Sequence, residues 1–304
     1  MTGAAAGTVC LLPGGYVDGE GVVHREAEIA PLTGREEELL AALAGGSPAA
    51  LATEVIARCV RAIGGVRPLT PEVAGRLLVG DRQFLLLRLR EATFGERVDG
   101  RLACPWPDCG ARVDIDFSTA DVPVKRCAGV SATYRVELTE EAAVTDAAGA
   151  QHRAVTFRLP DGRDQEALAP LLAENPAAAL TRLLERCVVG TEEPWDDPAE
   201  LVARLPARAR LEVERAMEER APAVELEMEL LCPECGRAFT APFDLQDFFF
   251  GELRTGRDLL YRQVHYLAYH YHWSEREILE LPREKRMAYI GVLADEIEAL
   301  NDAV

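Results

Sequence analysis

Two cysteine pairs carry the clearest chemical signal in this sequence. The first reads Cys104-Pro-Trp-Pro-Asp-Cys109-Gly, and the second reads Cys232-Pro-Glu-Cys235-Gly. Spacings of four and two residues both suit the thiolates of a structural zinc site. The glycine after each pair permits a left-handed backbone, which turns amide N–H groups toward the sulfurs. Each pair therefore predicts a zinc knuckle, in which a strand, a tight turn and a second strand follow one another.

A single knuckle is half of a structural zinc site, because such a site requires four ligands. We predict one structural Zn²⁺ per chain, bound by Cys104, Cys109, Cys232 and Cys235. The two pairs would be the halves of one split zinc ribbon, with the long middle section inserted between them. Four thiolates leave no open position for water, and no H-E-x-x-H motif is present, so catalytic zinc is not expected.

Three other interpretations of the cysteines stay open at this point. Cys232 and Cys235 have the spacing of a thioredoxin-type redox pair, which would make the protein a thiol oxidoreductase, but their flanks read as strands rather than as a helix start. Two separate disulfides would require an exported protein. The knuckles could also be degenerate and bind no metal.

The elements that must position these cysteines predict an α+β fold. Turn signals predict an N-terminal β-hairpin, and helical periodicity covers residues 30–95, 164–189 and 198–219. Alternating apolar and polar residues mark strands within 132–140 and 151–162, and the flanks of both knuckles read as strands. Two helix starts are predicted from capping boxes, Thr33 with Glu36 and Ser274 with Glu277, and Pro176 and Pro206 are predicted to divide longer helical stretches. We predict Asp81 as the N-cap of one N-terminal helix. The predicted domains are an N-terminal hairpin and helices (1–98), the split ribbon (99–126 with 222–250), an α/β insertion (127–221) and a helical C-terminal region (251–304).

The C-terminal region is unusually aromatic. It holds five of the seven tyrosines and three of the five histidines, and it reads as three helices. The histidine spacing does not suit one metal ion on a helix. Tyr and Trp are common interface anchors, so the region predicts a partner surface, with burial in the core as the alternative. Its candidate residues are Tyr261, His265, Tyr266, Tyr269, His270, His272 and Trp273.

Charge and hydropathy restrict the protein's surroundings. The net charge is −18, so general binding to nucleic acid or to anionic membranes is disfavoured. No apolar stretch is long enough to span a bilayer, and the first residues lack the basic segment of a secretory signal. We therefore expect a cytoplasmic protein whose cysteines are reduced.

Four stretches together resemble a known family. They begin at Gly15 (GYVDGEGVVHREAEIAPLTGREEELL), Gly80 (GDRQFLLLRLREATFGERVDGRLACPWPDCGARVDIDF), Cys232 (CPECGRAFTAPFDLQDFFFGEL) and Leu260 (LYRQVHYLAYHYHWSEREILELPREKRMAYI). The chain resembles the T4-type baseplate hub assembly chaperones of contractile phage tails and of phage-tail-like contractile injection systems. Residues 127–221 carry the resemblance least well.

The resemblance implies a non-enzymatic assembly factor or structural component of a baseplate or hub, with other baseplate or hub proteins as partners. The protein would act in the cytoplasm of a bacterial or phage-infected cell and could enter the tail-like particle. The alternative is a zinc-ribbon regulatory or nucleic-acid-binding protein. Such ribbons carry basic residues, whereas Arg112 and Arg237 here stand beside acidic neighbours, among them Asp108 and Glu234.

Overall fold

The computed structural model describes residues 7–43, 46–127, 129–146, 149–191, 198–225, 227–242, 248–251 and 257–302. Helices and short antiparallel sheets alternate along these residues, so the predicted α+β class is confirmed. Two large apolar cores form, one mainly from residues 12–115 and the other from residues 138–217. A third, small cluster surrounds Cys104 and Cys232.

The N-terminal core is built on a three-stranded antiparallel sheet in the order β1-β2-β3, covered by helices. Its elements are β1 (Thr8–Val17), β2 (Val23–Ile29), α1 (Gly34–Ala42), α2 (Pro48–Cys59), β3 (Val60–Ile63), α3 (Pro71–Gly75) and α4 (Val79–Phe94). Helix α1 begins at the predicted capping box of Thr33 and Glu36. The chain then enters a two-stranded hairpin, β4 (Arg97–Ala103) and β5 (Arg112–Ser118), which carries the first cysteine pair.

The second core repeats this order of elements. After β6 (Val124–Lys125) come β7 (Tyr134–Glu137), β8 (Val144–Thr145), β9 (Gln151–His152), β10 (Ala154–Phe157), α5 (Gly162–Glu174), α6 (Pro176–Cys187), β11 (Val188–Gly190), α7 (Pro198–Arg204) and α8 (Ala207–Arg220). Strands β7, β10 and β11 form the second three-stranded sheet. After β12 (Ala223–Val224), the hairpin of β13 (Glu227–Leu231) and β14 (Ala238–Pro242) carries the second cysteine pair.

The two cores are copies of one unit, because equivalent residues recur at a constant spacing of 128 positions. Helices α2 and α6 keep this spacing at both ends, and α1 and α5 keep it at their starts. Identical pairs at this spacing include Asp18/Asp146, His24/His152, Gly34/Gly162, Pro48/Pro176, Cys59/Cys187, Arg82/Arg210 and Cys104/Cys232. The chain is therefore an internal tandem duplication, and each copy supplies one knuckle.

Local contacts follow the duplication as well. The His24 ring lies 2.8 Å from the Asp18 carboxylate across the first hairpin turn, and the His152 ring lies 3.1 Å from the Asp146 carboxylate across the second. Helix α5 begins at a capping box of Asp161 and Asp164, as α1 does at its own. The same turn and the same cap thus position the helices of both copies.

Within residues 257–302, the C-terminal region forms three helices, as predicted. They are the first tail helix (Arg257–Tyr271), the second (Glu275–Leu279) and the third (Arg283–Asp302). Ser274 and Glu277 form the predicted capping box of the second tail helix. The first tail helix packs against α1. The C-terminal region therefore rests on the first copy.

One prediction about the N-terminal helices is wrong. Asp81 is not an N-cap, because α4 begins two residues earlier and Asp81 lies inside it, fully buried. Its carboxylate instead accepts the backbone N–H groups of Gly14 (2.7 Å) and Gly15 (2.9 Å) in β1. Burial raises the pKa of Asp81 to about 6. The side chain thus joins a helix to a distant strand rather than ending its own helix.

Candidate functional site

The two knuckle hairpins meet face to face and bring the four predicted ligands together. The four sulfur atoms all lie within 4.8 Å of one another. The Cys104 and Cys235 sulfurs are 3.8 Å apart, and so are those of Cys109 and Cys232. Each of these contacts joins one copy of the unit to the other, so the cluster cannot form from either copy alone.

The geometry of the cluster fits a tetrahedral metal ion. A Zn–S bond of about 2.3 Å places neighbouring sulfurs of a tetrahedron ~3.8 Å apart, the separation seen in both cross pairs. A disulfide would need about 2.05 Å, and all eight cysteines are free thiols. Cys104 and Cys232 are buried, while Cys109 and Cys235 are partly exposed. Strands rather than a helix flank Cys232 and Cys235, which removes the setting of a thioredoxin-type pair.

Backbone amides surround the sulfurs as expected of zinc knuckles. Gly110 and Gly236 have φ values of 60° and 67°, the left-handed conformation that the sequence predicts. The backbone N–H of Arg237 and its guanidinium lower the pKa of Cys235 to about 6. Burial raises the pKa of Cys104 to about 12, against the opposing effect of the Trp106 N–H group. A cation among the sulfurs would favour thiolates at all four positions.

Arg237 joins the two knuckles outside the cluster. Its guanidinium donates to the Asp108 carboxylate at 2.7 Å and lies 4.9 Å from the centre of the Trp106 ring. Both of these partners belong to the first knuckle, whereas Arg237 belongs to the second. The charge of Arg237 is thereby neutralised within the ribbon rather than presented to a phosphate.

Two basic residues of the neighbouring β4–β5 hairpin are also paired with carboxylates. Arg97 forms an ion pair with Asp116, and Arg101 pairs with Asp114 at 3.0 Å. These exposed pairs contribute little to stability, but they balance the charge of the hairpin surface. Within the described residues of the ribbon, Arg97, Arg101 and Arg237 are each paired with a carboxylate, whereas nucleic-acid binding favours a basic face without such partners.

The predicted partner residues of the C-terminal region lie on or near the surface. Tyr261, His265, Tyr269, His270 and His272 are exposed, whereas Tyr266 and Trp273 are partly buried. Tyr269 is 70% exposed, the largest value among the exposed tyrosines. The Tyr269 and His270 rings meet edge to face with centroids 5.0 Å apart. The four exposed residues on the first tail helix are called the aromatic ridge: Tyr261, His265, Tyr269 and His270.

Trp273 has a structural role within the C-terminal region. It stacks on Tyr271 with ring centroids 4.9 Å apart, and it meets Tyr289 of the third tail helix at the same distance. His272, with φ of 54°, reverses the chain between these helices. This cluster joins the end of the first tail helix to the third tail helix.

A buried polar network that the sequence analysis missed fastens the C-terminal region to the first copy. The fully buried Arg286 donates to Glu37 of α1 at 2.7 Å and to Gln263 of the first tail helix at 2.7 Å. Arg283 adds a second bond to Glu37 at 3.1 Å. Long charged side chains read as exposed in a single sequence, so no pattern in the sequence indicates that Arg286 is buried.

Comparison with known proteins places these observations in a family. Within the part of the chain that the structure describes, no helix has the length and apolar character needed to cross a membrane. No curated protein and no solved structure matches the chain. The family described as T4 bacteriophage base plate protein matches residues 10–250, which cover both copies of the unit and both knuckles. The chain therefore belongs to the T4 bacteriophage base plate protein family.

Proposed function

We propose that this baseplate-family protein binds one structural zinc ion at Cys104, Cys109, Cys232 and Cys235. The observation that supports this most strongly is the sulfur cluster, whose cross-pair separations fit tetrahedral zinc. Zinc in such a site contributes folding free energy by joining segments that are distant in sequence. In this protein the zinc ion would join the β4–β5 hairpin at the C-terminal end of the first copy to the β13–β14 hairpin at the C-terminal end of the second.

The function that we propose is structural and non-enzymatic. The protein acts as an assembly chaperone or as a structural component of the baseplate or hub of a contractile phage-tail-like injection system. It reaches its partners in the cytoplasm, and either leaves or becomes part of the particle. Family membership supports a baseplate role, and the fully thiolate donor set supports an architectural rather than a catalytic metal.

We propose the aromatic ridge as the surface for a baseplate or hub protein. Tyr261, His265, Tyr269 and His270 are exposed on one helix that is itself anchored by Arg286 and Gln263. Rigid support and aromatic side chains are common in binding hot spots. Tyr266, His272 and Trp273 complete the predicted surface and support its shape.

The predicted domain boundaries remain a proposal, which the duplication refines. Segments 1–98, 99–126 with 222–250, 127–221 and 251–304 describe the hairpins, the cores and the C-terminal region separately. The 128-residue spacing supports treating 127–221 as the body of the second copy, joined to its own knuckle. On this proposal the zinc ribbon is one of the contacts between two equivalent units.

Gene deletion tests the assembly role. Cells lacking the gene should yield few complete contractile particles by electron microscopy, and the intact gene should restore them. A Tyr269→Ala/His270→Ala variant should restore them poorly, because it removes two ridge side chains without touching the Arg286 network. A Glu284→Ala variant in the exposed start of the third tail helix is the matched control. Normal yields of contractile particles after deletion would contradict the proposal.

Whether the protein is found in purified particles or only in the cytosol distinguishes a structural component from an assembly chaperone. Mass spectrometry of purified particles and of the cytosol should detect a structural component in the particles, and a chaperone only in the cytosol with its client. Absence of every baseplate or hub protein from the material that co-purifies with the chain would contradict both.

A further inference from the structure

A repeated contact between helices joins the second copy to the first. The start of α5, Asp161–Gln165, is called here a cap segment, and it sits against residues Leu77–Arg82, called an arginine socket. The Gly162 N–H donates to the Leu77 carbonyl at 3.1 Å, and the backbone of Asp161 forms an isolated antiparallel β-bridge with that of Leu78. Arg82 donates to Gln165 at 3.0 Å and to the Ala74 carbonyl at 3.0 Å.

The same contact joins the first copy to the C-terminal region. The equivalent cap segment, Thr33–Glu37, sits against a second arginine socket, Leu281–Arg286. Thr33 bridges to Pro282, as Asp161 does to Leu78. Arg286 donates to Glu37, which is the residue equivalent to Gln165, and to the Leu281 carbonyl at 3.3 Å. Arg82 and Arg286 are both fully buried, and Arg82 also donates to the Ala49 carbonyl of α2 at 2.7 Å.

The glycine of each cap segment explains the fit. A Cβ atom at Gly162 would overlap the Arg82 guanidinium. A Cβ atom at Gly34 would lie 3.1 Å from Arg286 Nη1 and 2.9 Å from Leu279. Both positions therefore need glycine for close approach rather than for an unusual φ. A capping residue followed by glycine is thus the recognition feature of the segment.

A third arginine socket occurs in the second copy, at Leu205–Arg210. Arg210 is equivalent to Arg82 at the 128-residue spacing. It donates to the Val202 carbonyl at 2.9 Å and to the Leu205 carbonyl at 3.3 Å, as the other two arginines do to the carbonyls of their preceding helix turns. Among the described residues, however, no residue forms an isolated β-bridge with Pro206, which is equivalent to Leu78, and Arg210 is partly exposed.

We propose that the Leu205–Arg210 socket is a docking site for a cap segment of another protein. The occupant would be an amphipathic helix that begins with Thr, Ser or Asp followed by glycine, with Glu or Gln four residues after the capping residue. Its carboxylate or amide would accept a hydrogen bond from Arg210. A second copy of this chain is not the occupant, because both of its cap segments are already seated in its own sockets.

The Leu205–Arg210 socket shares no residue with the proposed zinc site or with the aromatic ridge. A fluorescein-labelled synthetic peptide of residues 158–174 serves as the probe, with one side-chain lactam bridge because isolated short helices are marginally stable in water. We expect saturable binding to the full chain by fluorescence anisotropy. Arg210→Ala should weaken this binding at least about tenfold, because it removes a charge-assisted hydrogen bond.

Arg215→Ala is the matched control, since Arg215 is an exposed residue of the same helix, α8, and lies outside the Leu205–Arg210 socket. It should leave the dissociation constant unchanged. The same peptide with Gly162→Val should not bind, because the added side chain fills the space of the guanidinium. Absence of saturable binding, or equal binding to the Arg210→Ala variant, would overturn the proposal. A dimer in sedimentation velocity that Arg210→Ala abolishes would assign the socket to a second copy and overturn it as well.

Discussion

At the scale of single residues, the proposed zinc site depends on four thiols and on the contacts around them. Cys104 and Cys232 each begin a Cys-Pro turn, and this local chemistry is visible in sequence. The Asp108–Arg237 contact joins residues 129 positions apart, so no local pattern indicates it. Spacing identified possible ligands, whereas the fold decides which surface groups neutralise one another.

Replacing one sulfur should disable the whole cluster. A Cys232→Ser variant should lose zinc and several kcal/mol of unfolding free energy, since three remaining ligands bind a structural metal poorly. Thermal unfolding and metal analysis measure the two effects. Cys10→Ser, in β1 and away from the cluster, is the control and should keep its zinc. Full zinc content in the Cys232→Ser variant would contradict the assigned ligands.

Asp164 predicts an acid-sensitive contribution to stability. Burial alone would raise its pKa, but Arg158 and the Asp161 N–H outweigh burial and lower the pKa to about 2. The stabilisation is therefore present above the ordinary pKa near 4 and is lost as pH falls toward 2. Denaturant titrations at several pH values should show a loss of roughly 2 kcal/mol across this window. The loss should be absent in Asp164→Asn, and an identical pH profile for that variant would contradict the assignment.

At the scale of elements, helix ends were predicted better than helix contacts. Thr33, Ser274, Pro176 and Pro206 mark helix starts through local chemistry, and the structure places helix starts at each of them. Asp81 has the same local signature but binds Gly14 and Gly15 from a distant strand. A buried carboxylate with a tertiary partner cannot be told from a cap by sequence alone.

The duplication itself could have been found in the sequence. Its signal is a scatter of single matches at one spacing, and the different lengths of the two knuckles, with four and two residues between cysteines, obscure it. The matches become meaningful once helices and strands with the same bounds are compared. Physical equivalence, such as the two Asp–His turns, is clearer than residue identity.

Substitution of the cap segment glycines should destabilise the protein. Gly162→Ala should lower the unfolding free energy by roughly 1–3 kcal/mol, because the methyl group overlaps the buried Arg82 side chain. Gly291→Ala, where a Cβ meets open space in the third tail helix, is the control. It should raise the stability of that helix by roughly 0.5–1 kcal/mol, and chemical denaturation measures both changes. Equal effects of the two substitutions would contradict the close contact.

Glu37 should control attachment of the C-terminal region. Glu37→Ala leaves Arg286 buried without its carboxylate, which typically costs about 3–5 kcal/mol. Hydrogen exchange should then accelerate in residues 257–302 more than in α6 of the second copy. Glu284→Ala should change neither region. Uniform acceleration along the chain would show that the network is not specific to this attachment.

At the scale of the whole molecule, the chain consists of two copies of one unit that meet at their knuckles. The resemblance to baseplate proteins in the sequence is confirmed by the family match, which also covers residues 127–221, where the sequence resembles the family least well. Family membership supports a baseplate role. A zinc ion at the sulfur cluster, as proposed above, would hold the two distant hairpins in one relative orientation.

The most direct test of this account is the zinc content of the purified chain. Native mass spectrometry should give a mass equal to one chain plus one zinc, and elemental analysis should give one zinc per chain. A Cys104→Ser/Cys232→Ser variant, altered once in each knuckle, should give none. Chains that carry no zinc, two zinc ions each, or one zinc shared between two chains would contradict a single site formed by the two copies.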